Sequence, residues 1–280
     1  MSFVPQETDP LLDNPNRPSS TQNPPRGGDP RVSRTRSAET SSDLDSEDER
    51  MGTWGMREKR GKSRLIVDNV GLGCILLGLL MFMPMVQYLV LEAYRKDPKG
   101  TGWFVLHPTM QSLAITMAVL SIQSLQTTTS PSGSAEKHAA FRQHQLINLA
   151  FSLPILLIGV SSIIYNKHIH NAPHFVSAHG KMGLAIVIWL FVQALVGIVA
   201  SSAAKKYGDS AKRFYKYHRL SGYLLLPLVL VTAHLGGAYS DWMVKGHSKM
   251  WQRVVAFDVG LALVAVGVVV RARPSKMKFL

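Results

Sequence analysis

Four histidines, His107, His144, His179 and His218, fall near the ends of four successive apolar stretches. An imidazole in hydrocarbon is costly, so its presence there points to a job. Consecutive spans run in opposite directions. His107 and His179 therefore come to one membrane face, and His144 and His218 to the other. Two imidazoles on facing helices are the axial ligand set of a six-coordinate haem iron. Two such pairs stacked across a bilayer form a relay for electrons. About twelve to fourteen helical residues separate the two levels, roughly 20 Å. A haem-free reading also exists, in which the same rings relay protons.

Gly183 follows His179 by four residues, and Gly222 follows His218 by four. Positions four apart share a helix face. A glycine one turn deeper removes the side chain that would collide with a flat macrocycle, as glycine does wherever another group must approach backbone closely. Close helix packing through small residues is the plain alternative. Gly159 does not follow a histidine in this way and is expected to accept a larger side chain more readily. His234, inside the fifth stretch, is a competing ligand for the His107 or His179 position. Asp258, alone in the sixth, calls for a partner such as His234. His138, His168, His170, His174 and His247 fall in connectors.

The elements that must hold these residues are six apolar segments, at about 65–91, 103–126, 144–165, 175–200, 218–238 and 253–271. Each is near the length that crosses roughly 30 Å of hydrocarbon. The third and fifth contain Pro154 and Pro227, which neighbouring helices tolerate. The expected fold is an all-α membrane protein, with spans two to five forming a central four-helix bundle.

Lys and Arg cluster before the first span, in the connector after the fourth and in the tail that begins at Arg271. The positive-inside rule then puts both termini, and with them His144 and His218, in the cytoplasm. The net charge of +13 belongs mostly to these connectors, so it reads as a topology signal rather than a nucleic-acid surface. Residues 1–64 hold most of the 18 acidic residues and almost no apolar run. They are expected to be a disordered tail, followed by a membrane domain over 65–272 and a short basic tail over 273–280. Cys74 is the one cysteine, so no disulfide forms within the chain. The N-terminus lacks the charged and apolar regions of a cleavable signal.

Trp103–Met110 read WFVLHPTM, residues 174–183 read HFVSAHGKMG, and residues 217–222 read YHRLSG. With His144 opening the third span, these motifs in this order resemble the cytochrome b561 family, and within it the branch without extra soluble domains. The resemblance covers about 66–272. It implies a homodimer with two b-type haems per chain, His107 and His179 holding the non-cytoplasmic one, and His144 and His218 the cytoplasmic one. It further implies electron transfer from cytoplasmic ascorbate to monodehydroascorbate or ferric iron. A haem-binding anchor for a partner enzyme is the other reading.

An anionic reductant needs cations beside the cytoplasmic pair. Arg142 and Lys216, two residues from His144 and His218, are the candidates, although the positive-inside bias alone explains basic residues there. Lys167 and His174 are the counterparts on the far side. Lys181, between His179 and Gly183, either snorkels or meets a haem propionate. In the tail, Glu7, Leu11 and Leu12 form an acidic dileucine pattern. Sorting adaptors read such a pattern in the cytosol, which favours a vacuolar, lysosomal or endosomal membrane over the plasma membrane. Ser41, Ser42 and Ser46 lie among acids as candidate phosphorylation sites.

Overall fold

A computed structural model describes residues 39–126, 135–207 and 212–272, with most side chains from residue 63 on. The dileucine pattern and the 273–280 tail lie outside the described residues. The chain divides into two units, Met1–Arg57 and Glu58–Leu280. Residues from Glu39 onward are helical, so the domain boundary expected at 64/65 falls within helix.

Six helices are long and apolar enough to cross a membrane: Ser63–Lys96, Pro98–Gln126, Ala135–Ile169, Ala178–Ala203, Tyr215–Gly246 and Met250–Arg271. They are called the first to sixth spans below. Five contain the segment that hydropathy marks and several run further; the fourth helix begins at Ala178, three residues after the 175 expected. The third helix begins at Ala135, nine residues before His144. The fifth helix begins at Lys212. Both extensions are polar, so hydropathy passes over them, while residues such as Ala, Glu and Lys favour helix by propensity. His138, Arg142 and Lys216 consequently stand on helices, and His144 lies inside its helix rather than opening it.

Hydrogen bonds and close contacts fix the register of antiparallel neighbours. Between the second and third spans, Gln111 Nε2 donates to Leu156 O at 3.0 Å and Ser152 Oγ to Ala114 O at 2.9 Å. Between the fourth and fifth, Trp189 Nε1 donates to Ser221 Oγ at 2.7 Å. Gln87 Nε2 ties the first span to the second through Ser112 Oγ, at 2.8 Å.

The first and sixth spans meet through glycines seven residues apart, Gly71 and Gly78 against Gly267 and Gly260. A Cβ at Gly78 would collide with Gly260 O, and one at Gly267 with Gly71 O. Small residues at this spacing let membrane helices approach backbone to backbone, where packing rather than water exclusion drives association. The apolar core beside them joins Ile75, Phe82 and Leu89 to Val119, Leu230, Phe257 and Val264. Phe82 meets Phe257 edge to face, with centroids 5.8 Å apart.

Arg271 ends the sixth span and is only 2% exposed. Charge counting makes it part of a basic tail. Its Nε instead donates to Gln123 Oε1 at 2.8 Å, and its Nη1 to Asp68 O. Arg64 pairs with Asp68 at 3.1 Å and donates to Arg271 O at 3.4 Å. A buried guanidinium is retained only where its donors find acceptors, and the first and second spans supply them here.

Among the described residues three π-helical stretches interrupt the spans, Ile147–Ser152, Met243–His247 and Val254–Gly260. At Ile147–Ser152, Leu153 N–H reaches back to Asn148 O. Pro154 follows directly; it lacks an N–H and crowds the preceding turn, a known cause of such bulges. At the end of the fifth span Gly246 takes φ +129°, a conformation suited to glycine.

Leucine at Gly78 or Gly267 should lower the melting temperature of the detergent-solubilised protein, by overpacking worth about 1–3 kcal/mol. Leucine at Gly73, where a Cβ meets nothing within 4 Å, should leave it unchanged. Equal effects at all three positions would refute the close glycine contact.

Candidate functional site

His107 on the second span faces His179 on the fourth, with ring centroids 6.0 Å apart and planes at 77°. His144 on the third faces His218 on the fifth, at 6.3 Å and 78°. These are the two pairings that alternation of the spans predicts. Ser121 touches His144 and lies fourteen residues along the same helix from His107. The two levels are therefore about 21 Å apart at 1.5 Å per residue.

Each ring also has a partner at Nδ1. For His107 it is Gly159 O at 3.0 Å, for His179 Thr232 O at 2.8 Å, and for His218 Gln193 O at 3.2 Å. A carbonyl oxygen only accepts, so Nδ1 carries the hydrogen in these three. The lone pair is then left on Nε2, the tautomer a metal-binding imidazole needs. His144 Nδ1 faces Ser121 Oγ at 3.2 Å.

The residues fit haem on two counts. One is ring spacing: an iron held by two imidazole nitrogens at ~2.0 Å each sets the ring centroids roughly 6.3 Å apart. Another is the engaged Nδ1 atoms, which fix ring orientation and tautomer.

The glycines divide by role. A Cβ at Gly183 would meet nothing within 4 Å, as expected of a position that clears a wall. At Gly222 it would come within 3.1 Å of Gln193 Nε2. That amide donates to His218 O at 2.7 Å, so Gly222 makes room for the residue that holds His218. Gly159 is not the neutral position expected of it. Its carbonyl accepts from His107, and a Cβ there would stand 2.8 Å from Gln111 Nε2.

Two glycines that sequence spacing misses lie against the rings. A Cβ at Gly236 would be 2.6 Å from His179 Cε1, and one at Gly197 2.9 Å from His218 Cε1. Each stands four residues after a carbonyl acceptor, Thr232 and Gln193. Finding them requires the register of the facing helix.

His234 joins neither pair. Its Nδ1 faces Phe257 O at 3.1 Å and Asp258 Oδ1 at 3.3 Å, which is the partnership expected of Asp258. Arg142 and Lys216 are exposed. Their preceding neighbours, Phe141 and Tyr215, meet edge to face with centroids 6.1 Å apart, so the two basic residues stand on adjoining helix ends. Lys167 Nζ donates to Pro173 O at 2.8 Å, stapling the loop that carries exposed His174. Lys181 is also exposed.

Residues 106–244 match the family model described as eukaryotic cytochrome b561. The chain belongs to the cytochrome b561 family. The matched stretch runs from just before His107 to beyond His234 and holds all four paired histidines. Among curated proteins the comparison finds no match. Members of the cytochrome b561 family are haem b-binding membrane proteins of electron transfer. That chemistry agrees with imidazole pairs presented inside apolar helices.

Gly236→Leu and His107→Ala should each lower the haem content of the purified protein, one by displacing a ring and the other by deleting one, as read by a pyridine haemochrome assay against the parent. Parent-like content in His107→Ala would return His234 as a ligand.

Proposed function

We propose that this chain is a di-haem carrier that moves electrons across its membrane, from ascorbate on the cytoplasmic side to monodehydroascorbate or ferric iron on the other. The observation that carries this reading is the pair of facing imidazole couples, at 6.0 and 6.3 Å, about 21 Å apart along the bundle. Haem b, when bound, supplies a one-electron couple at each level. The chain's own work is to hold four Nε2 lone pairs in place and to keep water and ions out of the apolar region between the levels.

Membrane orientation follows from charge. The ends that carry Arg64 and the Lys205–Lys216 connector are more basic than the opposite ends, which supports cytoplasmic termini and a cytoplasmic His144–His218 pair. Arg142 and Lys216 would attract and orient an anionic reductant there. Lys167 and His174 would face the acceptor on the other side. We further propose a homodimer.

The first test is composition and kinetics together. Purified protein should carry two low-spin haems per chain; none at all would overturn the reading. Arg142→Ala with Lys216→Ala should slow reduction by ascorbate about tenfold or less at low ionic strength, with dithionite reduction little changed. The difference should shrink as salt screens the charges. Salt-independent ascorbate kinetics in the parent would remove both residues from the site.

The Glu7, Leu11, Leu12 pattern supports an endomembrane address, since a cytoplasmic tail presents it to sorting adaptors. Leu11→Ala with Leu12→Ala should move a fluorescent fusion toward the plasma membrane. An unchanged distribution would make the pattern a coincidence.

A further inference from the structure

His144 differs from the other three paired histidines in what holds its ring. Three of the four donate Nδ1–H to main-chain carbonyls, whose chemistry no side-chain substitution alters. His144 Nδ1 meets a side chain, Ser121 Oγ, at 3.2 Å. Ser121 lies on the second span and is 0% exposed. Asn148, one turn beyond His144, donates from Nδ2 both to Ser121 Oγ and to His144 O, the latter at 2.8 Å, and the same Nδ2 lies 3.2 Å from His144 Nδ1. Ser121 Oγ also lies 3.4 Å from His144 O. A hydroxyl accepts twice and donates once. With Nε2 kept for a metal, Nδ1 carries the hydrogen, and the hydroxyl then accepts from His144 Nδ1–H and Asn148 Nδ2–H and donates to His144 O.

The backbone explains why Asn148 reaches both partners. It lies in the π-helical stretch Ile147–Ser152 that precedes Pro154, where helical register changes. Single-turn π-helices are often found at functional sites for this reason.

We propose that Ser121 and Asn148 form a side-chain socket that orients His144 and sets the electron-donating strength of its imidazole, making the His144–His218 level the one whose redox poise side chains adjust. They are positioning residues and act through His144. The physical basis is the outer partner of a metal-bound imidazole: an acceptor at Nδ1–H makes the ring a richer donor and favours the ferric state. Removing the acceptor makes the ring a poorer donor and favours the ferrous state. The proposal rests on the two-haem reading above.

The test is a potentiometric titration of purified parent, Ser121→Ala, Ser121→Ala with Asn148→Ala, and Ser121→Thr, each with its haem content measured first. The double variant removes both side-chain partners, so that a rotated Asn148 amide does not substitute for the lost hydroxyl. The expected result is parent-like haem content and a rise in one of two midpoints. A change of about tenfold in the ferric–ferrous equilibrium corresponds to ~59 mV for one electron. The second midpoint stays fixed, and Ser121→Thr, which keeps the hydroxyl, restores the first. Loss of one haem in Ser121→Ala that Ser121→Thr recovers also supports the socket. Unmoved midpoints, equal movement of both, or a loss that threonine does not recover would overturn it. A parent without haem would instead overturn the function proposed above.

Discussion

Everything at the centre of this protein depends on one kind of hydrogen bond, from the Nδ1–H of a buried imidazole to an oxygen on a neighbouring helix. A ring inside an apolar bundle has two polar nitrogens to satisfy, and leaving either unpaired is expensive. The helix across the interface takes the first, which frees the second for a metal. The same bond sets helix register. His107 to Gly159 aligns the second and third spans, and His179 to Thr232 and His218 to Gln193 align the fourth and fifth. Glycines at 197 and 236 then follow as a steric necessity, because rings held so close to a helix leave no room for a Cβ.

The first and sixth spans support this arrangement from outside. Their glycine seam brings the two backbones together, and Phe82 and Phe257 fill the space where they meet the core. The buried Arg271 ties the end of the sixth span to the first through Asp68 and to the second through Gln123. The second span, which carries His107 and Ser121, is thus fixed on two sides.

The sequence is legible where a residue is chemically out of place. A histidine in an apolar run stands out, and alternation of the spans assigns it a face, so the six spans and both ring pairs can be read directly. The His234–Asp258 partnership is legible for the same reason. What cannot be read is anything defined by the opposite helix. Gly197, Gly236 and Ser121 look like ordinary small residues until the register places them against a ring. Gly159 looks neutral until its carbonyl proves to be the acceptor for His107. Helix ends are obscured for another reason: Ala135–Phe141 is helical but polar, and hydropathy does not register propensity. Arg271 looks like one more basic tail residue because burial at a three-helix junction leaves no mark on composition.

The fourth span is sparsely anchored. Ile186 and Ala200 are its buried residues, and the hydrogen bonds described from its interior run to the fifth span. It meets the second span through the His107–His179 rings. The fourth and fifth spans therefore pair closely, and so do the second and third; Gln126 Nε2 donating to Tyr223 Oη at 3.3 Å and the Phe104–Trp242 ring contact join the fifth to the second. A ligand held between facing rings adds its binding free energy to the association of the helices that carry them, by mass action. The fourth span, whose apolar window is 6% buried against 17% or more in the other five, is the one whose seating would gain most from such a ligand.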